Sequence, residues 1–302
     1  MTEWLDEQLA AHGIRRTGEP ELIRERTWAG VHRVPTTAGP VWLKTMPAAT
    51  AFEARLYEVL HRHAARWVPA PLSTAPGRVL LPEAGPSLAD RDAADELPRA
   101  LHAYGTLQLA LAPHVDELLE AGVTDMRPER MPERFDEAMT FATSCARRRR
   151  EDVGELAALR PRYRDWCAEL VASGRPASLD HNDLHLANVV GTPTQPRFYD
   201  WGDAVVAHPF ACLLTPLDTS DAGARDGLRD AYLSAFGDPV ELRAEAALAC
   251  RVALVARALV WVRALGERPD EHEYAAAPLA VLRRLLDPDE FRRAGEDTAG
   301  RP

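Results

Sequence analysis

Apolar residues recur at helical spacing near the start of the chain, where Trp4, Leu5, Leu9 and His12 predict a short leading helix over residues 3 to 12. The period then changes. Glu21 to Trp28, Val31 to Thr36 and Val41 to Thr45 are short runs rich in β-branched and aromatic residues, parted by Ala29-Gly30 and by Thr37-Ala38-Gly39-Pro40. They predict an antiparallel meander. From Pro47 to His63 the helical period returns, with Phe52, Leu56, Val59 and Leu60 on its apolar face. Val79-Leu80-Leu81 predicts one more buried strand, and Pro82-Glu83-Ala84-Gly85-Pro86 breaks it off as a hinge would. Beyond the hinge, Leu97, Leu101, Tyr104, Leu107 and Leu111 share a helix face, and further helical patterns cover about 131 to 150, 154 to 173, 221 to 236, 240 to 266 and 273 to 286. A sheet followed by helices makes an α+β chain, divided at the hinge into residues 1–83 and 84–302.

With 302 residues, 46% of them hydrophobic, the chain can fill two lobes or one large domain. Its 36 basic and 46 acidic residues leave a net charge of -10, which argues against a nucleic-acid partner and permits a cationic small substrate. Cys145, Cys167, Cys212 and Cys250 lie far apart and read as reduced core residues, not as a disulfide frame or zinc site. The N-terminus carries acids where a signal peptide needs a basic and then an apolar run. Arg251, Arg257 and Arg263 interrupt the longest apolar helix, near Ala244 to Leu265, so it is not a clean membrane span. These features point to a cytoplasmic protein with no membrane partner. Arg147 to Arg150 read as a solvated helix end, and the tail from Arg292 to Pro302 as frayed. One imbalance stands out: 35 of the 36 basic residues are arginine and only Lys44 is lysine. A compact ammonium and a planar guanidinium are different tools, so a position that alone keeps lysine invites a functional reading.

The densest chemistry lies between Ser178 and Asp203, a strand, loop, strand stretch with four carboxylates, two histidines and two asparagines. His181-x-Asp183-Leu184-x-x-x-Asn188 matches the catalytic-loop pattern of kinases, and Asp200-Trp201-Gly202 stands at the place of their Asp-Phe-Gly element. Phosphoryl transfer needs a carboxylate that orients the attacking hydroxyl and takes its proton, and hard oxygen ligands that hold magnesium against the nucleotide phosphates. Asp183 is the candidate base, and Asn188 and Asp200 are the candidate ligands. Val189-Val190 and Arg197-Phe198-Tyr199 can pair as a hairpin across residues 191 to 196, which would bring the two ligands together. Lys44, in Val-Trp-Leu-Lys on the third strand, is placed to meet nucleotide phosphates. Glu53 could anchor it, with Glu58 as a weaker partner; Thr50-Ala-Phe-Glu53 also fits a capping box, in which Glu53 only closes the helix start. The first turn of the meander has only Gly30, so any phosphate cover there is a tight turn using Thr27 and backbone amides. A rival reading makes His181, Asp183 and His185 a hydrolytic metal site, with Asp200 and His208 in reserve.

Together the lone strand lysine, the helix glutamate, the hinge, the His-x-Asp-Leu-x-x-x-Asn run and Asp-Trp-Gly make the chain resemble the aminoglycoside phosphotransferase family, with its choline, homoserine and fructosamine kinase relatives. The resemblance runs from about Thr27 to Pro209 and is strongest over Asp180 to Trp201. It implies a two-lobed protein-kinase-like fold, with a small antiparallel-sheet N-lobe, a mostly helical C-lobe, and ATP or GTP with Mg2+ between them. It also implies that Asp183 is the catalytic base, that Asn188 and Asp200 ligate magnesium, that Lys44 contacts the phosphates with Glu53 orienting it, and that His181 buttresses the loop. Asn182 stands where the family usually has glycine, and asparagine tolerates the backbone angles such a position asks for. His185 reads as a loop-packing residue, and Asp203 has no assigned role. The implied activity is transfer of the γ-phosphoryl group to a hydroxyl of a small molecule; a nucleotide-binding pseudokinase is the non-catalytic alternative. Asp203, Asp218, Asp221 and the Asp270 to Glu273 cluster would suit an aminoglycoside, hence antibiotic resistance, while another amino sugar, amino alcohol or metabolic sugar stays open.

Overall fold

The computed structural model of the chain describes residues 2–149, 152–266 and 272–287. Arg150, Asp270, Glu271 and the tail from Arg292, each named above, lie outside the described residues.

Helix α1 (Thr2–Ala11) buries Leu5 and Leu9 in a cluster with Val34, Val41, Leu43 and Leu80 of the sheet. That antiparallel sheet contains β1 (Glu21–Arg26), β2 (Ala29–Val34), β3 (Val41–Thr45), β4 (Ser73–Ala75) and β5 (Arg78–Pro82), in the order β1-β2-β3-β5-β4. The expected meander forms, but its first turn is displaced. Thr27-Trp28 makes the turn, while Ala29 and Gly30 lie on β2 opposite Arg26 and Glu25. Two contacts explain the shift. A Cβ at position 30 would come within 2.8 Å of Thr45 Oγ1, so glycine serves close strand packing here and not the turn. Trp28 packs among Trp261, His272 and Tyr274 at ring-centroid distances of 5.8 to 6.5 Å, partners that no local pattern reveals.

Helix α2 (Phe52–Ala64) buries Leu56, Tyr57, Val59 and Leu60. The capping-box reading of Thr50 and Glu53 fails. Thr50 Oγ1 donates to Trp28 O at 2.8 Å, Glu53 is turned inward and fully buried, and no side chain caps the helix. Glu58 accepts from Thr74 Oγ1 at 2.6 Å and is not the partner of Lys44.

Past the exposed Glu83–Pro86 link the described chain is mostly helical. Helices Leu97–Leu111, Met131–Arg149 and Pro239–Leu265 follow their predicted spans closely. The pattern over 154 to 173 splits into Gly154–Ala158 and Arg160–Ala172, because Pro161 takes a first-turn position where a missing N–H leaves no bond unmade. Two later patterns shorten to Arg225–Leu233 and Ala277–Arg283. Periodicity gave no sign of helix Val115–Glu120 or of β6 (Thr124–Met126). The sequence from 178 to 207 folds into β7 (Ser178–Asp180), β8 (Val189–Thr192), β9 (Gln195–Phe198) and β10 (Val205–Ala207). Strand β10 pairs with β6 in parallel and with β7 antiparallel. The β8–β9 hairpin forms as expected, but its turn narrows to Pro193-Thr194 and the flanking residues join the ladder. Gly191, at φ 90°, is needed there, since a Cβ would run into the Gln195 carbonyl.

Cys145, Cys167, Cys212 and Cys250 are all buried and free. Among the described residues, no helix is long and apolar enough to cross a membrane.

Candidate active site

Strand β7 ends at Asp180, and the loop that follows is locked from several sides. Asn182 adopts the left-handed φ of 61° for which asparagine is suited. Its carbonyl accepts from Arg257 Nη1 at 2.6 Å and from Thr215 Oγ1 at 3.0 Å. His181 is fully buried, with Nε2 3.0 Å from the Tyr199 carbonyl and its ring 4.6 Å from that of Trp201, so it braces the loop against the following segment. His185 Nδ1 accepts from Ala187 N at 3.2 Å, and Asn188 Nδ2 donates to Asp183 O at 2.8 Å.

Asp180, 1% exposed, accepts from Asn182 N at 2.7 Å. Burial pushes its carboxyl up to about 7. The folded chain therefore favours the protonated acid. That contribution to stability is complete below the ordinary carboxylate value of about 4 and is lost as pH rises through the folded value. Asp180→Asn keeps an acceptor for Asn182 N–H, so it is expected to melt above the parent chain at pH ~8 and level with it at pH ~3. Thermal melts across that range check this; an equal shift at both ends would exclude titration as the cause.

The second group forms where the sheet meets the loop. Lys44 pairs with Val31 and Val79 on β3, and its ammonium lies 2.6 Å from Glu53 Oε2 and 2.5 Å from Asp200 Oδ1. Glu53 Oε1 also accepts the Trp201 N–H at 3.0 Å, so α2 grips both the lysine and the Asp-Trp-Gly segment. Gly202 permits the approach: a Cβ there would stand 3.3 Å from Glu53 Oε2 and 3.5 Å from Lys44 Nζ. Burial alone would strip charge from Lys44, but Asp200 and Glu53 outweigh it and hold the ammonium above the usual lysine range. Burial holds Glu53 above the usual carboxylate range; it acts on Asp200 as well, where Lys44 prevails and keeps the acid ionised.

Asp200 takes φ 65° and ψ 63°, which turns its carboxylate back toward Lys44. The hairpin ladder continues into a hydrogen bond from Tyr199 N to Asn188 O at 3.3 Å, setting Asp200 beside Asn188. Asn188 donates through Nδ2, which leaves its amide oxygen as an acceptor, and Lys44 engages only Oδ1 of Asp200. An amide oxygen and a carboxylate oxygen are hard donors that fit magnesium.

Asp183 is held from two sides. Its Oδ1 lies 2.9 Å from Arg257 Nη2 and its Oδ2 lies 3.3 Å from His185 Nε2. Burial pushes the acid up, and the His185 hydrogen bond with the Arg257 charge outweighs that, leaving Asp183 well below the usual carboxylate range. Arg257 also reaches Asp203 Oδ2 at 3.2 Å. One helical stretch further on, Arg263 donates to Gly202 O at 3.0 Å and to Thr124 Oγ1 at 3.2 Å. By spacing alone both arginines read as interruptions of an apolar helix. The available signal was that a guanidinium inside a helix apolar on nearly every side is buried and must be paired.

The hydrolytic grouping does not form. His181 faces Tyr199, and His208 Nε2 lies 3.0 Å from Glu245, so neither joins Asp183 and His185 around one point. The acids read as a cationic-substrate surface are partly matched: Asp203 by Arg257, and Asp218 by Arg284 at 2.6 and 2.7 Å.

A family model described as a phosphotransferase enzyme family matches residues 30–249, more than half of the chain. No curated protein sequence matches. Among solved structures, the macrolide 2'-phosphotransferase MphH from Brachybacterium faecium is similar at 18% identity and TM-score 0.60, over 95% of this chain and 98% of that one. The Plasmodium vivax ethanolamine kinase is similar at 13% identity and TM-score 0.61, over 90% of this chain and 82% of that one. The streptomycin–ATP ternary complex of APH(2")-IIa is similar at 13% identity and TM-score 0.63, over 97% of each chain. At such identities the likeness is one of fold, an α+β kinase-like architecture with an antiparallel sheet before a helical body.

Proposed function

The chain belongs to the phosphotransferase enzyme family, and from that premise we propose that it transfers the γ-phosphoryl group of ATP or GTP to a hydroxyl of a small molecule. The observation that carries this reading is the meeting of Lys44, the chain's single lysine, with Glu53 of α2 and Asp200 of the Asp-Trp-Gly segment, beside Asn188 and Asp183. A similar structure that holds streptomycin and ATP supports a nucleotide co-substrate.

In this reading Lys44 receives the nucleotide phosphates, and the Thr27-Trp28 turn covers them with backbone amides. Asn188 and Asp200 hold magnesium, which when bound offsets the phosphate charge. Asp183 accepts the hydrogen bond of the acceptor hydroxyl and aims its oxygen at the γ-phosphorus. Because Arg257 and His185 keep Asp183 strongly acidic, it is ionised at neutral pH and acts first by orientation. The hydroxyl proton moves to Asp183 as the new O–P bond forms and the bond from the γ-phosphorus to the β,γ-bridging oxygen breaks, releasing the nucleoside diphosphate. His181 contributes by holding the loop.

The acceptor is a hydroxyl-bearing small molecule. With Asp203 and Asp218 already paired to arginines, the acid-rich lobe no longer favours an aminoglycoside over an amino alcohol or sugar. A screen of hydroxyl compounds for phosphate uptake from labelled ATP and GTP, with Asp183→Ala as blank, tests the proposal. Uptake that depends on Asp183 supports it and excludes the pseudokinase reading; nucleotide binding with no transfer to any compound would favour the latter.

Lys44→Arg is expected to lower turnover at least ~10-fold, because a planar guanidinium cannot take the place of a compact ammonium held between two carboxylates. Steady-state kcat at saturating nucleotide is the measurement. Parental turnover in this variant would remove the single lysine as an argument.

A further inference from the structure

We propose that His63, His114 and Glu117 form a divalent-cation site, suited to zinc, that ties the end of α2 to the helical body. His63 lies in the last turn of α2, while His114 precedes the helix Val115–Glu120 and Glu117 lies within it. His114 and Glu117 meet at i,i+3 spacing, and tertiary packing brings His63 to them. Glu117 Oε1 stands 3.0 Å from His63 Nε2 and 3.2 Å from His114 Nδ1. Ligand atoms around a tetrahedral zinc at its usual bond lengths stand about 3.3 Å apart, so the carboxylate oxygen already has close to that spacing from each nitrogen, and one ligand atom of each residue lies within 4.8 Å of the others.

Two further features fit an ion. His63 Nε2 is sealed from solvent, and its approach to Glu117 lacks hydrogen-bond alignment, which leaves a buried nitrogen that an ion would satisfy. Arg62 holds the other oxygen, Oε2, of Glu117, as an outer partner orients a ligating carboxylate. The two imidazole rings stack at 3.5 Å between centroids and 14° between planes. Two imidazole nitrogens and one carboxylate oxygen suit zinc better than magnesium or calcium, which prefer oxygen throughout. His114 and Glu117, 31% and 34% exposed at the side chain, open the cluster to solvent. Each ring must turn about its Cβ–Cγ bond so that both lone pairs meet one ion.

The site is distinct from the Lys44 to Asp200 cleft, but it bears on the helix that carries Glu53. The test uses tag-free full-length protein, stripped with chelator and equilibrated with zinc chloride in the absence of nucleotide. One zinc per chain at micromolar zinc is expected, with the thermal midpoint raised by several degrees at excess zinc. His63→Ala and His114→Ala should each weaken zinc binding at least ~10-fold, as should Glu117→Gln. Asp200→Asn, in the cleft, should leave it unchanged. Melts without zinc establish that each variant is folded. Absence of stoichiometric zinc in the parent overturns the proposal. So does uptake that survives both histidine substitutions or disappears in Asp200→Asn, since the ion then lies elsewhere. None of these outcomes bears on the phosphotransfer reading.

Discussion

Asp183→Ala is expected to lower kcat by roughly 10²–10⁴-fold, while the nucleotide still binds with near-parental affinity. The carboxylate is the one group positioned to orient the hydroxyl in the proposed mechanism, and its removal leaves nothing to accept the proton. Nucleotide binding should persist because the loop has other supports. Arg257 keeps Asp203 and the Asn182 carbonyl, His181 keeps the Tyr199 carbonyl, and Lys44 keeps both of its acids. Transfer assays paired with calorimetric titration of nucleotide separate the two effects. Parental turnover in this variant would reject Asp183 as the base, and loss of nucleotide binding along with turnover would point to a collapsed loop.

Asp200→Asn is expected to lower kcat/KM by roughly 10³-fold and to raise the magnesium concentration needed for half-maximal rate. The backbone should survive, since asparagine tolerates the left-handed angles that Asp200 adopts. What disappears is charge. The cation loses its ionised ligand, and Lys44, 12% exposed, keeps only Glu53 as a counter-ion. A magnesium titration of the initial rate distinguishes a weakened ion site from a misfolded one: partial recovery at high magnesium marks the first. An unchanged magnesium requirement and parental rate would remove Asp200 from the ion site.

Much of this cleft could be read from local chemistry. His181 to Asn188 carry their candidate roles within one short loop, and a positive φ at Asn182 was foreseeable from its residue type. The β8–β9 hairpin was legible as two apolar runs around turn residues, although its turn proved tighter than composition implied. The placement of Glu53 could not be settled that way. Thr50 and Glu53 have capping-box spacing, yet Thr50 went to Trp28 and Glu53 to Lys44. A neutral capping bond is a weak attraction beside that between a fully buried carboxylate and an ammonium largely withdrawn from water, so burial chose the partner.

The chain by itself determined the chemical kinds present and the local period of each segment. It marked an antiparallel sheet ahead of helices, a loop with a candidate base and ligands, and a solitary ammonium on a strand. Only the tertiary structure decided which charges meet. Lys44 reaches Asp200 across 156 residues, Arg257 reaches Asp183 across 74, and Trp28 leaves its hairpin for Trp261. The reason is one of range. Periodicity and turn chemistry report on forces acting over a few residues, whereas the partner of a buried charge follows from how whole elements pack and what they shut away from water.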